Sequence, residues 1–384
     1  MNFCLRVLAG VACLFCSVAR AQLWTTAYFP GWEQGQMAVA DIDFGVISHV
    51  VHFSLVPNPD GTLDAEANHI TPDNTAELVT RAHAAGRKVL LCVGGAGSQA
   101  GFQGAASAAH RSAFVTNLIH ALSVGQYDGL DLDWEPLPVS DFPLYTNLVH
   151  DLRAAQAPGQ LLTAAVSAYP AWGDPPRSES ALFASLQGQF DQINLMTYDL
   201  SGAYAGWVSW HNSPLYDGGY RFASTTNLVP SIDGAVRGFT AAGVAPAKIG
   251  IGVAFYGYIW TGSVSAPRQT WSAAPIVKQI SYADILATYY RPSSYRWDTN
   301  AQAAYLSLPA SGAGARFISY DDERACQAKV RYARDQRLGG VMIWQLAHGH
   351  LPGQPAGQRD PLLRAIQKEM AAPAGGRKDT AVNP

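Results

Sequence analysis

Short runs rich in Val, Ile and Leu recur along the chain: TTAYFPGW, ISHVVHFSLV, KVLLCVGG, YDGLDLDWE, LLTAAVSAYP, FDQINLMTYD, KIGIGVAFYGY and LGGVMIWQL. Most are too apolar for a strand with one wet face, so they predict strands covered on both sides. Between them lie amphipathic stretches at helical spacing: Asn74–Ala85, stopping at Gly86, then Ser107–Leu122, Phe142–Ala155 and Asp322–Arg337. Strand and helix alternate, which predicts parallel βαβ units. Eight such units predict an α/β fold closed as a (β/α)8 barrel. No internal repeat competes with that reading.

The spacing breaks late in the chain. Residues 259–316 hold Trp271, Tyr282, Tyr289, Tyr290, Tyr295 and Trp297. They predict a small α+β insertion between the seventh strand and the last helices, carried on a barrel loop. The barrel domain is expected over 22–371. The Pro/Gly-rich tail 372–384 is expected to be disordered.

At the N-terminus, Arg6 precedes an apolar run from Val7 to Val18, followed by Ala19-Arg20-Ala21. That order predicts a secretory signal cut after Ala21 and a secreted product, extracellular or periplasmic. The run is too short for a stable membrane anchor. A lipoprotein signal is the rival reading, but neither Cys13 nor Cys16 has Leu three residues upstream. Cleavage removes three of the five cysteines and leaves Cys92 and Cys326, which predicts free thiols rather than a disulfide scaffold. No Cys/His spacing resembles a zinc site, so no metal or cofactor is expected. His348 and His350, in a Gly/Pro loop, read as isolated surface histidines.

A net charge of −3 and 14% charged residues give no hint of a polyanionic partner. Nucleic acid and, after signal cleavage, membranes are therefore excluded as expected partners. The chain is expected to act as a monomer. Gly95-x-Gly97-x-x-Ala100 after a strand imitates a dinucleotide fingerprint, but the confirming acid about twenty residues on is absent. A tight glycine turn accounts for it more simply.

YDGLDLDWEP carries the candidate chemistry. Alternation puts Leu130, Leu132 and Trp134 on one strand face and Asp131, Asp133 and Glu135 on the other. In a parallel barrel the apolar face meets helices and the acids point inward. Glu135 comes last, at the C-terminal mouth where barrel enzymes place their chemistry. Acids two residues apart on a strand lie roughly 6–7 Å apart, so they cannot all ionise comfortably in a low dielectric. A proton is expected to be shared within the row. A carboxylic acid kept protonated near neutral pH suits protonation of a glycosidic oxygen.

DGLDLDWE resembles the DGxDxDWE signature of the family 18 glycoside hydrolases, the chitinase family, at Asp128, Gly129, Asp131, Asp133, Trp134 and Glu135. MTYD (Met196 to Asp199), HNSPLY (His211 to Tyr216), FYG (Phe255 to Gly257) and the stretch from YDDERA to Trp344 resemble later landmarks of that family. The insertion stands where these chitinases carry an α+β wall. The resemblance implies a carbohydrate substrate, chitin or N-acetylglucosamine oligomers, and substrate-assisted cleavage with retention. It implies Glu135 as general acid and base, with Asp133 on the acetamido N–H sharing a proton with Asp131. It further implies Tyr198 on the acetamido oxygen, Asp199 orienting the sugar and Trp344 stacked beneath it. Tyr28, Met196 and Tyr256 would shape the pocket.

Three positions depart from the family's pattern. Cys92 stands where Ser is usual, Pro136 where many members have Tyr, and Tyr258 where Arg is common. The resemblance leaves open an endoglycosidase of N-glycan cores and a non-catalytic chitin-binding lectin. Glu135, which many lectins of this fold lack, favours an enzyme. Trp207, Trp210, Trp260 and Trp297 are candidates for stacking along a glycan or for packing.

Overall fold

A computed structural model describes residues 23–168, 178–222 and 224–372. The signal segment expected over 1–21 and the tail beyond Ala372 lie outside the described residues. All eight apolar runs form strands. Seven come first: β1 (Trp24–Pro30), β2 (His49–Pro57), β3 (Lys88–Gly95), β4 (Gly129–Trp134), β5 (Leu161–Ser167), β6 (Gln192–Met196) and β7 (Ile249–Ala254). Each is parallel to the next, from Ala27 opposite Val50 to Asn194 opposite Gly250.

A separate antiparallel sheet follows β7 at once. It comprises β8 (Tyr256–Gly262), β9 (Ile276–Ser281), β10 (Tyr295–Asp298), β11 (Ala303–Leu308) and β12 (Ala315–Tyr320), ordered β9-β8-β12-β11-β10. The sheet thus begins and ends a little outside 259–316, because Tyr256 and Tyr320 pair with the inserted strands rather than with the barrel. The last barrel strand, β13 (Gly340–Trp344), pairs with β7 on one side and β1 on the other, closing the ring.

The helices around this ring are α1 (Pro72–Ala84), α2 (Gln99–Ala105), α3 (Arg111–Gly125), α4 (Phe142–Ala155), α5 (Ser178–Leu186), α6 (Ile232–Ala241), α7 (Glu323–Asp335) and α8 (Pro361–Met370). Local chemistry sets their ends. Thr71 caps α1 through the Asn74 amide at 3.2 Å, and Pro72 opens its first turn. Asp322 caps α7 through the Ala325 amide at 2.8 Å. The helix expected from Ser107 starts at Arg111, since 107–110 are spent in a turn closed by His110 N–H on Ser107 O. Strict alternation also fails once. Between β1 and β2 stand only short 3-10 turns, Gly31–Gly35 and Val39–Asp41. The stretch GWEQGQ offers no apolar stripe for a helix to bury. No helix among the described residues is long and apolar enough to cross a membrane.

The inserted sheet is tied to the barrel by a buried ion pair. Asp321, just after β12, accepts the Ala254 amide at 3.0 Å and a bond from Lys329 of α7. Lys329 also donates to Ser213 Oγ at 2.5 Å, and both charged side chains are almost wholly buried. Lys329→Met leaves the Asp321 carboxylate uncompensated. It is expected to lower unfolding stability by about 3–5 kcal/mol, read from the urea midpoint. An unchanged midpoint would show that the pair contributes nothing.

Candidate active site

The opening alternation of β4 is realised as buried layers. Leu130, Leu132 and Trp134 are covered by the helix layer, with Trp134 stacked on Phe102 of α2 at 4.6 Å. Asp131 and Asp133 lie inside the barrel, both buried, and Glu135 emerges half-buried at the mouth. Asp128, at the other end, is structural. Its carboxylate takes Lys88 Nζ at 2.7 Å, the Val89 amide at 2.8 Å and His83 Nε2 at 2.8 Å, which sets the start of β4 against β3.

Asp131 has both oxygens occupied. Tyr28 OH donates to Oδ2 at 2.7 Å and Thr163 Oγ1 to Oδ1 at 2.5 Å, with the Cys92 thiol adding a further bond. Burial raises its pKa and these three donors oppose the rise. Asp133 lies beside this group with its Oδ1 buried and without a donor among the described residues, and the Asp131 charge raises its pKa. Asp133 bonds with Glu135. Burial, then the Glu135 and Asp131 charges, push the Asp133 pKa well above the carboxylate range. Burial also raises Glu135, with the bond from Asp133 opposing and the Asp199 charge adding. Burial and like charge thus favour keeping a proton within the Asp133–Glu135 pair.

The backbone around Glu135 is held by the start of α2. Ser98 Oγ accepts the Glu135 amide at 3.3 Å and donates to Asp133 O at 3.3 Å, while Gln99 N–H donates to Glu135 O at 3.2 Å. The glycine turn feeding α2 is required by space. A Cβ on Gly94 would come within 2.1 Å of Asp133 O, and one on Gly95 within 2.6 Å of Phe53 Cζ. Both have φ near +110°. These glycines let β3 approach the acid row.

On the far wall, Asp199 sits in a left-handed turn at φ 56°. Its amide donates to Asn212 Oδ1 at 3.1 Å, and Ser213 Oγ donates to Thr197 O at 2.5 Å, so the HNSPLY segment braces the MTYD turn. Tyr256 OH donates to Asp199 Oδ1 at 2.6 Å, Gln279 Nε2 stands 3.5 Å from Oδ2, and Tyr258 adds a bond. Tyr258 thus meets Asp199 with a neutral hydroxyl. Burial raises the Asp199 pKa against these bonds. Tyr198 packs on Gly252, where a Cβ would meet its ring at 2.8 Å, and its hydroxyl lies 3.5 Å from Met342 Sδ.

These groups surround a cleft of about 580 Å³. Tyr28, Asp133, Glu135, Met196, Tyr198, Asp199, Tyr256 and Trp344 line it, and Asp131 lies beneath Asp133. A larger cavity, about 720 Å³ between α1 and α3, has no carboxylate among the described residues of its wall. Its chemistry, not its size, sets it aside. Trp32 and Phe53 also line the cleft and were not legible as site residues in the sequence. Nor was Thr163, although a lone hydroxyl within LLTAAV was a usable signal. Of the four candidate tryptophans, Trp260 and Trp297 lie in β8 and β10, and Trp210 and Trp260 are fully buried core. Trp207 packs on Phe222 at 4.8 Å and Trp297 lies beneath Arg324. None of the four reaches the cleft. Cys92 and Cys326 are buried free thiols. His348 and His350 are not free surface groups: His350 is buried against Asp360 at 2.8 Å, and His348 faces Glu33.

Comparisons with known proteins agree on one family. The model of the Glycosyl hydrolases family 18 matches residues 25–349. The chain is 32% identical over 311 residues to a probable endochitinase of Caenorhabditis elegans, covering 74% of this chain and 48% of that protein. With chitotriosidase-1 of Mus musculus it shares 28% over 384 residues, 90% of this chain and 78% of that one. The chain spans about half the length of the worm protein, and 38% of chitinase A1 of Niallia circulans. Among solved structures, Ostrinia furnacalis Group IV chitinase in complex with allosamidin matches with a TM-score of 0.78 at 25% identity, covering 91% of this chain and 99% of that one. With the barrel, the acid row and a family match running from β1 past the end of β13, the chain belongs to the glycosyl hydrolases of family 18.

Proposed function

We propose that the chain is a secreted hydrolase of β-1,4-linked N-acetylglucosamine polymers, chitin or its oligomers, with Glu135 as general acid and base. The observation that carries this reading is the buried Asp133 beside Glu135 at the barrel mouth, where burial raises both carboxyls and favours a retained proton. Moved to Glu135, the proton faces a glycosidic oxygen in the cleft. Asp133 becomes an anion suited to an acetamido N–H. The acetamido carbonyl oxygen bonds to the anomeric carbon as the C–O bond to the leaving sugar breaks, and the leaving oxygen takes the Glu135 proton. Glu135 then draws a proton from water, which attacks the same carbon and reopens the ring. Asp131, held by Tyr28 and Thr163, supplies negative potential that keeps the pair protonated. Tyr198 and Asp199 orient the sugar, and Trp344 offers a floor.

The test is direct. Purified mature protein should release small products from chitooligosaccharides and leave an N-glycopeptide intact. Release of the glycan would move the substrate to N-glycan cores. Binding without cleavage would place the chain with lectins.

Asp133→Asn is expected to lower turnover by about 10²–10⁴-fold, within the range of general acid–base contributions, because no shared proton remains. The alkaline limb of the pH–rate profile should move to lower pH, since Glu135 loses the coupled neighbour that raises the pair. Stability should move the other way. A carboxyl with a raised folded pKa stabilises the fold below its unfolded pKa and loses that contribution as pH rises through its folded pKa. Asp133→Asn should therefore unfold at a higher temperature than the parent at neutral pH, with the gain shrinking in acid. A lower melting temperature at neutral pH would show that Asp133 serves packing rather than chemistry.

A further inference from the structure

The aromatic wall of the cleft is held from behind by a carboxylate outside the acid row. Glu33 lies in the 3-10 turn after β1 and is 4% exposed. One of its oxygens, Oε1, takes Trp32 Nε1–H at 3.1 Å and Gln345 Nε2–H at 2.8 Å, with His348 Nε2 at 3.6 Å. The other, Oε2, is buried with no partner among the described residues. Each of these neighbours serves a cleft aromatic. Trp32 lines the cleft itself. Gln345 follows Trp344 directly, and its side-chain oxygen caps the next turn through the Ala347 amide at 2.9 Å. The His348 ring meets Tyr256 edge-on at 6.2 Å. The rings also touch one another, Trp32 to Phe53 at 5.6 Å and Phe53 to Trp344 at 4.8 Å.

We infer that Glu33 is a positioning residue that sets Trp32 and Trp344 as one rigid platform for N-acetylglucosamine units, an inference that rests on the proposed activity. A buried anion receiving several donors is held in place by them, and it holds them in turn. His348 foremost, with Trp32 and then Gln345, holds the Glu33 carboxyl below its usual value against burial, which raises it. Preorganised rings bind a sugar without first losing their own freedom, so the advantage should appear in binding rather than in bond cleavage. A neutral amide at position 33 offers the same shape. It presents two N–H groups among donors and loses the charge that gathers them.

Glu33→Gln tests this, with Glu33→Ala as the deeper truncation. The indole N–H signals of Trp32 and Trp344 are followed by nitrogen–proton NMR, each assigned by its loss in Trp32→Phe or Trp344→Phe. In Glu33→Gln both signals should shift or broaden while melting stays cooperative. This readout needs no sugar and so judges Glu33 apart from the proposed activity. Kinetically, KM for a long chitooligosaccharide should rise about tenfold, equivalent to the loss of one good charged contact, with kcat within about twofold. Unmoved indole signals in both variants would overturn the inference. So would a fall in kcat at constant KM.

Discussion

Glu135→Gln is expected to lower kcat on chitooligosaccharides by about 10²–10⁴-fold, the span assigned to a positioned general acid, while leaving oligomer binding within a few-fold of the parent. That loss corresponds to about 3–5 kcal/mol of barrier. The amide keeps the volume of the acid, and the cleft's shape resides in Trp344, Tyr198 and Tyr256, which the substitution does not touch. Only the transferable proton disappears. The backbone bonds of residue 135 to Ser98 and Gln99 survive as well, so the side chain remains aimed at the same place. Isothermal titration with an oligomer separates the two effects. A variant with more than a few per cent of the parent's turnover would move the acid elsewhere. One that neither binds nor cleaves would mean that position 135 maintains the cleft.

The second large effect concerns the nucleophile. Among the described residues, Asp133, Asp199 and Glu135 are the carboxylates that line the cleft; Asp199 is hydrogen-bonded to Tyr256, and Asp133 is buried behind Glu135. A nucleophile from the substrate's acetamido group fits that arrangement. Holding the carbonyl oxygen beside the anomeric carbon makes its attack intramolecular, which can be worth about 7–11 kcal/mol. An oligomer deacetylated only at the reacting unit should therefore resist cleavage by several orders of magnitude. It lacks the carbonyl oxygen and brings an ammonium among rings instead. Deacetylation one unit further along should be tolerated better. Attack from within, then water from the face of the departing group, leaves a β product. Proton NMR during the first turnovers reads the anomer directly. An initial α-anomer, or ready cleavage beside a free amine, would falsify substrate assistance.

Asp133 and Glu33 show two ways in which carboxylates serve one cleft. Burial and like charge raise the Asp133 carboxyl, at a cost to stability that Asp133→Asn should recover. Glu33 is kept ionised by its donors, which hold the wall still.

What the sequence alone determined were features whose cause is local. Strands covered on both faces must be apolar throughout, so β1 to β7 and β13 were legible as runs. A strand's period of two placed Asp131, Asp133 and Glu135 on one face, and the order of residues put Glu135 at the mouth. The motifs around Tyr198, Asp199, Tyr256 and Trp344 brought the rest of the cleft within reach by resemblance. What only the tertiary structure decided were partners chosen across the barrel. Tyr28 and Thr163 reach Asp131 from strands 103 and 32 residues away in sequence, and Gln345 reaches Glu33 across 312. Nothing in the local pattern of either residue encodes such a meeting, because it depends on the register in which the ring closes. The same closure gave His348 and His350 acidic neighbours and buried Trp210 and Trp260 in the core. It also set Asp131 between Tyr28 and Thr163, with Asp133 buried next to Glu135.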